Sequence, residues 1–241
     1  MPLKLSTGLA NVKAGKVAQI VGTDLTFTAS GNVIASAANA LLTAGFRPDD
    51  IITISGSGAG NNAIVTVTSV ASTGATMVVS AITGDESDNA SLTITGTGKG
   101  IAQALKYGAL YVYTGTQVAN ADASEGSVTL LAILTKDGGT VTAGTKTNGL
   151  ELDETAIAAG KVSKKSGDTW KGTGLANGTA GWGRFYDNAL QTGVDASEEA
   201  IRVDGQCGSS YQFKLSNLSI EVGVPITCDQ FSLTERTAAP T

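Results

Sequence analysis

Residues 170–187 read WKGTGLANGTAGWGRFYD, and here the chain gathers both of its tryptophans, Trp170 and Trp182, with Arg184, Phe185 and Tyr186, all interleaved with glycine. Aromatic residues make up only 5% of the sequence, and each large ring buries about 150–250 Å². A segment this enriched is expected to anchor a core. Its glycines are expected where the backbone turns through positive φ or approaches another strand closely. The stretch holds no nucleophile beside a base and no metal-ligand set. The expected anchors are therefore architectural: Trp170, Trp182, Phe185 and Tyr186, joined by Tyr111 and Tyr113 on one face of an upstream strand.

Downstream of this stretch, residues 201–205, 212–215, 218–222 and 226–234 alternate polar and apolar side chains as half-buried strands do. Upstream lie two strong strands, 109–113 (ALYVY) and 128–134 (VTLLAIL). Residues 140–165 read as a long excursion from the sheet. Residues 101–241 are thus expected to form a jelly-roll-like β-sandwich.

Residues 96–100, GTGKG, read as a hinge. Before it, strands are expected at 24–29, 51–55, 63–70, 76–80 and 91–95. One short helix is expected at 36–45, with Ser36 as N-cap and Gly45 just past its end. Residues 23–97 then make a small β-barrel. Residues 1–22 lack periodicity and are expected to form an extended arm that orders against a neighbouring subunit. The fold class is all-β: two barrel or sandwich domains, a glycine-rich hinge and an N-terminal arm.

Composition narrows the functions. Among 241 residues there are 31 glycines and no histidine, charged residues are 15% and the net charge is −5. The absence of histidine removes the commonest general base and metal ligand. A charge-poor surface suits assembly with neighbours. The negative balance argues against direct nucleic-acid binding, which needs a basic face. The run Lys161, Lys164, Lys165 reads as a solvated loop, and no stretch has the apolar length of a membrane span or the pattern of a secretory leader. Cys207 and Cys228 fit either a cross-strand pair or two buried thiols. The glycine clusters at 56–60 and 96–100 miss the spacing of phosphate loops. Carboxylates at Glu151, Asp153, Glu154, Glu198 and Glu199 are too close in sequence to act as acid and base across a substrate. The sequence nominates no catalytic, cofactor-binding or metal-binding residue, and no enzyme is expected.

The second half resembles a module of structural proteins of tailed bacteriophages and prophages. The resemblance rests on Gly108-Ala-Leu-Tyr-Val-Tyr-Thr-Gly-Thr-Gln with Ala119-Asn-Ala-Asp-Ala and Leu130-Leu-Ala. It continues through Trp170, Gly178-Thr-Ala-Gly-Trp, Arg184-Phe-Tyr-Asp, Ile201-Arg-Val-Asp-Gly and Leu215-Ser-Asn. Val118 stands where the family's turn has proline. Residues 23–97 look like the small barrels of phage decoration and adaptor proteins. The resemblance implies a virion component assembled in the host cytoplasm: a capsid decoration or cement protein, homo-oligomeric and trimer-like, held on the major capsid protein and its own copies. A tail tube, fibre or adaptor subunit is the alternative placement, with Asp85, Glu86 and Asp88 as channel-facing acids. A carbohydrate-binding module using Trp170, Trp182 or Tyr186 is the alternative of another class.

Overall fold

The computed structural model describes residues 3–87, 89–154, 161–194 and 200–234. The chain is all-β and divides into two compact units. The larger comprises Met1–Ala10, Gly100–Val141 and Thr147–Thr241, and the smaller comprises Asn11–Lys99 and Thr142–Lys146.

In chain order, β1 (Lys4–Leu5) and α1 (Thr7–Lys13) precede seven strands of the smaller unit: β2 (Gln19–Val21), β3 (Leu25–Thr28), β4 (Val33–Ser36), β5 (Ile51–Ser55), β6 (Ala63–Val70), β7 (Thr76–Val79) and β8 (Thr93–Gly96). The larger unit follows with α2 (Ile101–Ala104), β9 (Ala109–Thr114), β10 (Leu130–Lys136), β11 (Lys161–Ser163) and β12 (Trp170–Thr173). It ends with β13 (Gly178–Tyr186), β14 (Arg202–Gln206), β15 (Phe213–Leu215), β16 (Ser219–Ile220) and β17 (Pro225–Thr234).

The smaller unit is one antiparallel sheet in the order β2-β8-β5-β6-β7-β4-β3. Its two edge strands are consecutive in the chain and joined by residues 22–24 alone, so the sheet curls back on itself. Alternation places Leu25, Phe27, Ile34, Ile52, Ile54, Val65, Val67, Met77 and Ile94 inside. None of the seven strands contains a charged residue. The described Lys, Arg, Asp and Glu of the unit all lie outside these strands, in the connections and in α1.

The expected helix at 36–45 does not form. Ser36 ends β4, paired with Leu25, and its hydroxyl donates to Asp24 Oδ2 at 3.0 Å while accepting from the Ala40 amide. Asn39 adopts φ 55°, and the Leu41 amide goes to Gly74 O. The alanine and leucine spacing that suggested a helix instead serves a series of turns, with Leu41 and Leu42 buried.

Of the expected arm at 1–22, the described residues 3–22 do not run as an extended arm. Lys4 and Leu5 pair with Asp204 and Val203 of the same chain. The Ser6 hydroxyl accepts from the Leu9 amide at 3.2 Å and donates to Ala200 O at 2.7 Å, capping α1. Seven helical residues are too few to display a periodicity, which is why the sequence conceals them. The first ten residues belong to the larger unit and β2 to the smaller, so the stretch is shared between both.

The larger unit is a 10-stranded antiparallel sheet ordered β1-β14-β13-β9-β10-β12-β17-β11, with β15 on β17 and β16 on β13. It bends at β10, whose residues 130–134 pair with β9 and whose residues 135–136 pair with β12. The two halves thereby face one another. Phe185 of β13 meets Trp170 of β12 at 5.4 Å and Phe231 of β17 at 5.7 Å, and Phe213 stacks on Phe231 at 5.1 Å. That aromatic cluster is the heart of the core.

The glycines of the 170–187 stretch allow close approach, and none has positive φ. A Cβ at Gly172 would lie 2.2 Å from Ile133 O, at Gly174 2.0 Å from Glu221 O, and at Gly181 1.9 Å from Gly115 O.

Candidate functional site

Strand β13 has two faces that differ in chemistry. Phe185 points into the apolar core, while Trp182, Arg184 and Tyr186 alternate onto the other face, beside Tyr113, Tyr111 and Ala109 of β9 and Gln206, Asp204 and Arg202 of β14. On that second face Tyr113 stacks on Trp182 and Tyr111 meets Tyr186 edge-on, each pair at 4.8 Å. Trp170, Trp182, Phe185 and Tyr186 are fully buried, Tyr113 nearly so and Tyr111 partly. The six anchors thus divide between two layers that share one strand.

Arg184 sits in the middle of the polar layer and is fully buried. Its Nε and Nη2 donate to Asp204 at 2.7 and 2.8 Å in a bidentate pair. Its Nη1 donates to Ala123 O at 2.9 Å and Glu125 Oε1 at 3.0 Å, and Nη2 reaches Asn120 O at 3.5 Å. All five of its donors are used. The guanidinium lies 5.5 Å from the Trp182 ring centroid. Asp204 and its neighbours push the already high Arg184 titration further up, against the effect of burial.

Arg202, also buried, lies over the Tyr186 ring at 5.6 Å and donates to Gly193 O at 2.6 Å and Ala121 O at 3.5 Å. The Tyr186 hydroxyl donates to Glu125. Burial alone would raise the Glu125 carboxyl, but this hydrogen bond, a backbone amide and the two arginine charges together hold it below the ordinary glutamate range. Burial pushes the phenols up, Tyr113 to about 12.

Besides Asp204 and Gly193, the two arginines donate into the connection 115–129, Arg184 at Asn120, Ala123 and Glu125 and Arg202 at Ala121, and this connection lies across the face as a strap. Asp122 adds a second tether, accepting from the Thr7 amide at 2.9 Å and the Thr7 hydroxyl at 2.7 Å. Lys4 Nζ donates to Val118 O. Sequence reading missed Arg202, Asp204 and Glu125. The available signal was a charge at alternate positions inside otherwise apolar strands, since Arg202 and Asp204 both fall on the face of Arg184.

A third arginine is equally internal. Arg47 is 3% exposed and donates to Leu42 O at 2.5 Å and Phe46 O at 2.9 Å, while Asp50, itself buried, pairs with Lys99 at 2.5 Å. Burial pushes the Asp50 carboxyl up despite these cations. Every described arginine is therefore committed to the interior, and the cations at the surface are lysines. Lys161, Lys164 and Lys165 do not form a free basic patch: Lys165 pairs with Glu151 at 2.7 Å and Lys164 donates to Cys228 O at 3.1 Å.

The other nominated groups are similarly engaged. Glu151 also takes Lys136 at 3.0 Å, and Glu154 pairs with Lys106 at 2.7 Å. Lys106, Glu151 and Glu154 border a groove of about 270 Å³, and Lys164 and Lys165 one of about 220 Å³. Asp85 accepts from the Ala29 amide at 2.7 Å. Glu86 collects Ser57 Oγ, the Gly58 amide at 2.7 Å, and the Asn61 and Asn89 side chains at 3.2 and 2.7 Å. Against the effect of burial, those donors lower its carboxyl to about 2. Asp88, Glu198 and Glu199 lie outside the described residues. Cys207 and Cys228 are unpaired and buried, and burial pushes the Cys228 thiol up to about 12. Among the described residues no group of three or more His, Cys, Asp or Glu side chains is arranged to hold a metal.

What the arrangement does chemically is brace. It neutralises buried charge, locks a strap across a sheet face and leaves no ring of the 170–187 stretch exposed for a sugar to stack on. Compared with protein-family models, curated proteins and solved structures, the chain matches none.

Proposed function

We propose that this chain is a structural component of a tailed-phage particle, and most concretely a decoration subunit on the outside of the head, bound to major capsid subunits and to its own copies. The observation that carries this reading is where the charge has gone. All described arginines are internal braces, and the strands of the smaller unit bear no charge at all. A surface with this pattern offers neutral area for protein neighbours, while phosphate recognition favours the bidentate fork of exposed arginine. Such a subunit acts by adding buried area at contacts that an expanded shell alone lacks, opposing the pressure of packaged DNA. No catalytic group, cofactor or metal enters this reading.

Of the acids that the tail placement invokes, Glu86 is held by four donors of its own unit, while Asp85 is exposed and Asp88 lies outside the described residues. The sugar-binding reading needs an exposed ring where Trp170, Trp182 and Tyr186 are buried.

The test is to compare particles made with and without this gene. Decoration requires heads that assemble normally yet lose DNA at lower temperature, with the chain present in purified wild-type particles. Intact, heat-stable heads with missing or malformed tails would overturn it.

A further inference from the structure

We infer that the outer wall of the smaller unit, over β2, β8, β5 and β6, is a self-docking face that pairs two copies of this chain about a twofold axis.

The four strands are neighbours in the sheet, in register Val21–Thr93–Ser55 and Thr95–Thr53–Ile64. Their outward positions are threonine, serine, glutamine, isoleucine and valine. Ile64 is 72% exposed, Val21 57% and Ile51 45%, an unusual exposure for β-branched aliphatics on a strand. The larger unit provides a control within the same chain, because its strands do place charge outward, at Lys161, Lys171 and Lys214. Lysine on sheet surfaces is the ordinary protection against association. In the smaller unit that protection is absent from every strand.

A second copy is the occupant this pattern selects. Across an isologous contact each residue near the axis meets its own counterpart, so any charge there faces a like charge. A different partner imposes no such exclusion, since it can supply the opposite sign. For a chain of net charge −5, a charge-free wall is the surface on which two copies approach without repulsion. The face measures roughly 20 by 15 Å from strand spacing and rise, under the ~800 Å² per partner of a standard interface. The pair is therefore weak and reversible in solution, and gains strength where many copies stand side by side on one particle. This assignment deepens the proposed assembly by naming its self-contact, yet the two fail separately. Monomeric protein that still decorates heads would sink only the self-contact, and self-pairing protein absent from particles would sink only the decoration.

Sedimentation equilibrium of the full chain up to about 200 μM is the test. The expected result is a monomer–dimer equilibrium whose constant changes less than about twofold between roughly 50 and 500 mM NaCl, because no charges meet. Ile64→Lys should weaken it at least about tenfold, and Thr53→Glu likewise. Val222→Lys, at a 60% exposed position of the larger unit, should leave it unchanged. Because Ile64 is mostly exposed, its variant should melt within a few degrees of wild type. Monomer at every concentration, dimer that persists in Ile64→Lys, or dimer lost in Val222→Lys would each overturn the assignment.

Discussion

At the scale of single residues the larger unit depends on atoms that are absent as much as on those present. Gly172 and Gly181 have ordinary backbone angles, but a methyl group at either would stand about 2 Å from a carbonyl oxygen, Ile133 O and Gly115 O respectively. Substituting alanine at either position should cost about 3 kcal/mol or more in urea unfolding, at or beyond the upper end of overpacking. Gly126 has positive φ and open space around it, so its alanine variant should cost only about 1 kcal/mol. The enrichment of residues 170–187 in glycine and large rings is plain in the sequence. Which of the two uses of glycine applies is not, because the oxygen each one avoids comes from a strand or turn far away in the chain. Arg184 is the matching case for a charge. Arg184→Met should destabilise by about 3–5 kcal/mol by stranding Asp204 in the interior. The Arg184→Met and Asp204→Leu double variant should lose less than the sum of the singles.

At the scale of elements the strap 115–129 gives a pH signature. Glu125 titrates lower in the folded protein than in the unfolded chain, so its contribution is complete above the unfolded pKa of about 4.3 and is lost as pH falls through the lower folded value. Glu86 acts in the same sense in the smaller unit. The stability these two glutamates contribute should therefore decline as pH drops below about 4.3, while Asp50 and Asp204, raised by burial, act in the opposite sense. Glu125→Gln should flatten that decline in the larger unit alone, read by hydrogen exchange at the Arg184 and Tyr186 amides. An unchanged acid limb would mean that Glu125 does not hold the strap. Strands with alternating patterns were legible: the expected strands 51–55 and 63–70 coincide with β5 and β6. The turn series after Ser36 was not, since Asn39 and the tertiary bond from Leu41 to Gly74 O override a local helical pattern. The strap was equally hidden, because its partners Arg184 and Arg202 lie more than fifty residues beyond it.

At the scale of the whole molecule the chain does not divide at a single hinge. It leaves the larger unit after Ala10, enters it at Gly100, and returns to the smaller unit for Thr142–Lys146, where the Gly144 carbonyl receives the Val70 amide at 2.8 Å. The glycine-rich stretch at 96–100 marks the main crossing, and composition made it visible. The return at 142–146 carries no compositional mark. Deleting residues 1–10 removes β1, the buried Leu9 and the Ser6 contacts to Ala200 and Arg202. The larger unit should then lose several kcal/mol of stability, measurable as a lower melting temperature in its tryptophan signal. A free arm waiting for a neighbouring subunit would leave that signal unmoved.

In the proposed assembly residue, element and molecule meet: charge withdrawn into buried arginine braces and absent from the strands of the smaller unit leaves neutral surface for other protein to cover. Cryo-electron microscopy of intact purified particles, at a resolution that traces β5 and β6, reads this directly. The expected map places the chain on the outer head with the Ile51, Thr53 and Ile64 wall covered by the same wall of a second copy. A chain located in the tail, or one on the head whose β2-β8-β5-β6 wall faces open solvent, would contradict it.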